Sequence, residues 1–271
     1  MCIRDRVANA ARSGGSGSLV SGRSVFGRAV WASRVAQARR SSLVDTSRPM
    51  VIAVASIDNR MLTSPVTALV SMIAEEVSEL PMVVLDADVQ AQPMRGPLGA
   101  WAAGDVLGLA ATEPLDLTRK KMENFADNSG AVPLLTASQG TQGQMAADVL
   151  DTVVSRAQHR WPIVVVNLPY TCAGETIAAG TAMADHVLLV ADRHHEQHGW
   201  LYQPGHHLTE LAQSNKVTVV KVGAAALDLP QDTVVLPSVD AHSTSRSRIV
   251  PSTNPEDVSM YHRLLSRVFG S

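Results

Sequence analysis

Cysteine is nearly absent from this 271-residue chain, with only Cys2 and Cys172, so a disulfide framework is not expected. Long apolar runs are missing as well. Runs such as 163–166 and 187–190 fall far short of the roughly 20 residues that cross a bilayer. The start of the chain lacks the charged-then-apolar order of a secretory signal, and the expected compartment is therefore the cytoplasm. Charge of one sign is not in excess: the formal net charge is −2 and the pI about 6.5. There is no global attraction to nucleic acid or anionic lipid, and any such partner would have to use a local patch. No G-x-G-x-x-G follows the first apolar run, which argues against a dinucleotide enzyme. What is present, 45% hydrophobic and 18% charged residues, suffices for one sizeable core in one domain.

Two regions differ in texture. Residues 1–6, Met-Cys-Ile-Arg-Asp-Arg, look like translated adapter sequence and are set aside, with the natural chain expected to begin further upstream. Across 1–48, nine arginines face only Asp5 and Asp45 in a Gly/Ser/Arg-rich, low-complexity arm. Within it Val25, Phe26, Val30, Trp31 and Val35 recur at roughly helical spacing among Arg28, Arg34, Arg39 and Arg40. Two readings stand: a solvated linker, or a basic amphipathic element that docks on a membrane surface, a nucleic acid or a protein.

From residue 49 to 271 the pattern becomes short apolar runs separated by segments of helical period. Strands are expected at 51–55, 82–85, 132–135, 163–166, 186–191, 217–222 and 234–236. These runs carry Val, Ile and Leu without polar alternation, as strands do when helices cover both faces of a parallel sheet. Leu69, Ile73, Val77 and Leu80 share one helical face, and Met145, Val149 and Val153 another. The expected fold class is α/β: a doubly wound, mainly parallel sheet in three layers. Ser64-Pro65 and Asn254-Pro255 each read as a capping side chain before a first-turn proline, the second opening a closing helix striped by Val258, Tyr261, Leu265 and Val268.

In such a sheet ligands bind at the carboxyl ends of the strands, so the residues just after each run matter most. After the first comes Ser56-Ile57-Asp58-Asn59-Arg60-Met61-Leu62-Thr63-Ser64; after the second, Asp86-Ala87-Asp88-Val89-Gln90; after the fourth, Asn167-Leu168-Pro169, then Ala173-Gly174-Glu175; and Ala184-Asp185 precedes the fifth. In order and spacing these pieces resemble the MinD/ParA branch of P-loop NTPases, over roughly residues 50 to 270. They fall where that family has its deviant Walker A loop K-G-G-x-G-K-T-T, its D-x-D segment, its D-x-P-x-G stretch and its following strand. The layout, a long N-terminal region before the NTPase-like part, also resembles the MinD-like proteins of actinobacterial type VII secretion.

The resemblance implies an ATP and Mg²⁺ site, formed by Asp58, Asn59, Arg60, Met61, Leu62, Thr63, Ser64, Asp86 and Asn167. Thr63 and Asp86 would face the metal, and Asp88 would position the attacking water. The chain departs from the family at the positions that carry charge and backbone freedom. The family's glycines fall on Asp58, Asn59 and Met61, its two lysines on Ile57 and Leu62, and its Walker B carboxylate on the amide of Asn167. Inward-facing backbone N–H groups and lysine charge are what hold a triphosphate. Arg60 is the one nearby cation. Each survivor also has a plain structural reading: Thr63 and Ser64 as helix caps, Asp86 and Asp88 as turn residues, Asn167 bonded to a neighbouring loop.

His194, His195, His198, His206 and His207 crowd one stretch, but His195-Glu196-Gln197-His198 is one residue short of the zinc-helix spacing and reads as the start of a solvated helix. Cys172 has no adjacent base and reads as inert. Three functions remain open: a MinD/ParA-like regulatory or partner-binding module without hydrolysis, acting as a homo- or heterodimer or with another protein and peripheral at the inner membrane face; an ATPase with a rebuilt loop in which Arg60 serves for lysine; and an unrelated α/β small-molecule protein.

Overall fold

The computed structural model describes residues 48–57, 60–78, 80–224, 230–239 and 248–270; of Arg60 it describes the backbone alone. The basic arm, apart from Arg48, lies outside the described residues, as do Asp58 and Asn59.

The apolar runs form strands β1 (Met50–Ser56), β2 (Met82–Asp86), β4 (Leu134–Leu135), β5 (Ile163–Leu168), β6 (His186–Ala191), β7 (Val217–Val222) and β8 (Thr233–Leu236). A further strand, β3 (Ala126–Asp127), pairs antiparallel to β4. The order in the eight-stranded sheet is β3-β4-β2-β5-β1-β6-β7-β8, and every pair except β3 with β4 is parallel. Helices are α1 (Thr63–Glu75), α2 (Arg95–Leu98), α3 (Val106–Ala111), α4 (Arg119–Glu123), α5 (Ala147–Gln158), α6 (Gly174–Ala182), α7 (Thr209–Gln213) and α8 (Pro255–Phe269).

The strand side chains divide between two cores, one on each face of the sheet. Ile52, Val54, Val84, Val165, Leu188 and Val220 pack with Val66, Leu69 and Ile73 of α1 and with Tyr261, Leu264 and Leu265 of α8. Their neighbours Val51, Ala53, Val83, Val164, Val166 and Leu189 pack with Val106 and Leu109 of α3, Leu150 and Val153 of α5, and Ala212 of α7. Both faces are dry, and that is why the runs show no polar alternation.

Two local expectations are corrected. Ser64 does not cap α1: the helix starts at Thr63, Leu62 stands in the capping position without a side-chain bond, and Pro65 lies inside the first turn, where no N–H is needed. On α5 the buried stripe is Leu150, Val153, Val154 and Ala157, while Val149 is half-buried and Met145 precedes the helix. Asn254 caps α8 as expected, accepting from Glu256 N at 3.3 Å.

The short β3 edge is held from inside. Arg95 is buried and forms an ion pair at 3.3 Å with the buried Asp127, while its other donors reach the carbonyls of Ala102 (2.9 Å) and Ala137 (3.0 Å). A guanidinium with five donors meets a set of acceptors that a core otherwise leaves unpaired.

Candidate functional site

The sheet order places β5 between β1 and β2, so three strand ends converge. Register sets Asn167 opposite both Val54 of β1 and Asp86 of β2. Strand alternation points Asn167 and Asp86 to the face covered by α1, whose first two turns carry Thr63, Ser64 and Thr67. All five are buried.

Asn167 is the hub. Its Nδ2 donates to Ser64 Oγ at 3.1 Å and to Asp86 Oδ1 at 3.0 Å, and its Oδ1 accepts from Thr67 Oγ1 at 3.0 Å. Both amide hydrogens are thereby used. Thr67 Oγ1 also lies 2.8 Å from the Thr63 carbonyl, and Ser71 Oγ donates to the Thr67 carbonyl at 2.7 Å, so the buried hydroxyls of Thr67 and Ser71 are satisfied within the helix and by Asn167. Asp86 Oδ2 accepts from Met94 N at 3.0 Å, and Oδ1 lies 3.4 Å from Asp88 N. Burial pushes the Asp86 carboxyl up to about 7; the bonds from Met94 N and Asn167 pull it down, and the neighbouring Asp88 charge pushes it up.

Asp88 is turned into its own loop. Its Oδ1 accepts from Gln90 N (3.1 Å) and Ala91 N (2.8 Å), and its Oδ2 accepts a short bond from Thr171 Oγ1. Arg60, Met61 and Leu62 form a 3-10 turn that leads into α1; Met61 is 65% exposed, whereas Leu62 packs into the core. Cys172 is buried close to both aspartates, and burial followed by their charges raises its thiol far above the usual range. An un-ionised thiol is a poor nucleophile, in keeping with an inert cysteine.

The structure thus brings together Ser64, Asp86 and Asn167, keeps Thr63 one turn of α1 below Thr67, and places Asp88 in the adjoining loop. Sequence reasoning missed Thr67, Met94 and Thr171. Thr67 carried a usable signal: it lies four residues after Thr63, on the same face of α1. Thr171 and the backbone donor of Met94 carried none.

The histidine stretch belongs elsewhere. Residues 192–198 form no helix, and His198 is buried with Nε2 at 2.9 and 3.0 Å from the Asp232 carboxylate oxygens, which also accept from Tyr202 OH at 2.6 Å. Among the described residues no group of three or more His, Cys, Asp or Glu is arranged to hold a metal ion. No helix among them is long and apolar enough to cross a membrane.

Solved structures decide the fold. A ParA family ATPase from Chlorobium tepidum superposes with a TM-score of 0.57 at 8% identity, covering 80% of this chain and 98% of that one. The septum site-determining protein MinD of Pyrococcus horikoshii, complexed with Mg-ADP, gives 0.55 at 14% identity over 81% and 95% of the two chains. The chain has the MinD/ParA-type P-loop NTPase fold. A MinC:MinD cell division complex from Aquifex aeolicus gives 0.52 at 14% identity, covering 80% of this chain and 95% of that one. No protein-family model matches the sequence, and no curated protein matches it.

Proposed function

We propose that this MinD/ParA-fold chain neither binds ATP tightly nor hydrolyses it, and serves as a regulatory or partner-binding module in a positioning, partitioning or secretion system. One observation carries the reading: the amide of Asn167 spends both hydrogens on Ser64 and Asp86 and its oxygen on Thr67. A crevice built for Mg²⁺ leaves carboxylate and hydroxyl oxygens open to the ion and its waters. Here Ser64 Oγ and Asp86 Oδ1 accept from the Asn167 amide and Asp86 Oδ2 from Met94 N, and the segment 56–64 contains no lysine. The residues present do not fit a firmly held magnesium triphosphate, and no hydrolytic step is drawn through one.

Without a nucleotide to drive assembly, the module acts through a standing protein contact, as a homodimer, a heterodimer or with another protein. The MinC:MinD complex supports partner binding as a use of this fold. The basic arm supplies a second, electrostatic contact to a membrane surface or nucleic acid, placing a cytoplasmic protein at the inner membrane face. Co-sedimentation with anionic liposomes and with DNA at two salt concentrations tests that contact; absence of both at low salt removes it.

For the site, the full chain is mixed with ATP and Mg²⁺ and phosphate release is followed, with calorimetric titration in parallel. Background release, and binding no tighter than about millimolar, are expected. Magnesium-dependent turnover that disappears in Asp88→Ala would overthrow the proposal in favour of a rebuilt ATPase.

A further inference from the structure

The contacts between β2 and β5 do not stop where the strands end. Beyond the Asp86–Asn167 pair, Ala87 N donates to the Asn167 carbonyl at 3.2 Å, and one residue after Ala87 the Asp88 Oδ2 accepts from Thr171 Oγ1, four residues after Asn167. The parallel pairing is therefore continued, by one backbone bond and one side-chain bond, into the loops that follow both strands. In a nucleotide-sensing protein those two loops would report on the ligand by moving apart or together.

Each loop is also anchored on its far side. Gln144 Nε2 donates to the Thr171 carbonyl at 3.0 Å, Cys172 N closes a turn onto the Pro169 carbonyl at 3.0 Å, and the Cys172 side chain is buried in the core of that face. In the loop after β2, Asp88 Oδ1 holds the Gln90 and Ala91 amides. Gln92, at a φ of 48°, donates from Nε2 to the carbonyls of Val89 (3.1 Å) and Ser138 (3.0 Å). A non-glycine residue at positive φ persists only where its surroundings over-determine it. The bond between Thr171 and the mostly buried Asp88 carboxylate is charge-assisted, the stronger kind.

We infer that the loops after β2 and β5 form a permanent clasp pinned by Thr171, so that 169–173 keeps one conformation whether or not nucleotide is present and displays the half-exposed Tyr170 as a constant surface feature. This rests on the reading of the crevice as one that does not sense nucleotide, yet it fails or stands on different data. Thr171 is exposed, so replacing it does not threaten the core.

The test is hydrogen exchange on the full chain, with and without MgATP, for the wild type, Thr171→Val, Thr171→Ala and Thr171→Ser. Loss of the hydroxyl in the Val and Ala variants lowers protection about tenfold at Gln90, Ala91 and Cys172 together, since one pin holds both loops. Thr171→Ser retains the protection, and MgATP leaves the wild-type pattern unchanged. Loosening confined to one loop, or a wild-type pattern altered by MgATP, overturns the clasp. Calorimetry on the same samples separates the two ideas. Tight MgATP binding with unmoved loops defeats the functional reading and leaves the clasp, whereas no binding with fast exchange in both wild-type loops defeats the clasp alone.

Discussion

Replacing Asn167 by Asp puts a second carboxylate at the end of β5, and the geometry says what it does here. Asn167 Nδ2 lies 3.0 Å from Asp86 Oδ1, so Asn167→Asp sets a second buried carboxylate against the first. Two such charges about 4 Å apart repel by about 4 kcal/mol at an effective dielectric of about 20, and the pair holds a proton instead. In the wild type Asp86 already stands at about 7, above its ordinary value of 3.8. A group raised in the folded state contributes stability at low pH and loses it as pH rises through the folded value, so the Asp86 contribution to the wild type falls up to about pH 7 and then levels. In Asn167→Asp the shared proton is held still more firmly, and stability keeps falling above pH 7 by up to about 1.4 kcal/mol per pH unit. Between pH 7 and about 8.5 the variant should therefore lose about 2 kcal/mol more than the wild type. Urea unfolding at a series of pH values reads this directly, with slopes compared to confirm that the denatured states match. A penalty that stays constant or shrinks over that range would refute the proton-sharing arrangement.

Three other outcomes follow from the packing. Thr67→Val leaves the Asn167 carbonyl oxygen without its donor and should cost about 1–3 kcal/mol in chemical denaturation, with helix content retained. His186 is buried and bonded to Thr218 Oγ1 at 2.9 Å, and burial, assisted by Arg267, Lys216 and Arg48, lowers it to about 4. Its neutral form is favoured in the fold, so its own contribution drains as pH falls from about 6.5 toward about 4, and His186→Gln should gain stability relative to the wild type over that range in unfolding curves. Arg95→Met strands the buried Asp127 and should cost about 3–5 kcal/mol, much of it recovered in the double variant with Asp127→Asn, as a double-mutant cycle would show.

The fold was legible because both faces of the sheet are dry, so runs such as 163–166 and 186–191 announce themselves without needing alternation. β3 escaped notice for a physical reason: two residues, Ala126 and Asp127, owe their place to Arg95 from a distant segment rather than to any local apolar pattern. The crevice was half legible. Spacing after β1, β2 and β5 located Ser64, Asp86 and Asn167, because strand ends in a parallel sheet are fixed by register. The substitution of an amide for a carboxylate was visible in the sequence, but its consequence depended on Thr67 and Ser64 lying within reach of that amide, which only the packing of α1 on β5 determines. Asp88 illustrates the same limit. A carboxylate at a strand end reads equally as a water-positioning group or a loop cap, and Gln90, Ala91 and Thr171 occupy both its oxygens.

The most direct measurement is a crystal structure of the full chain grown with a non-hydrolysable ATP analogue and Mg²⁺. The account predicts no triphosphate between the turn after β1 and Asn167, with the Asn167 amide still bonded to Ser64, Asp86 and Thr67. Density for nucleotide and metal seated there, with that amide released from Asp86, would contradict it.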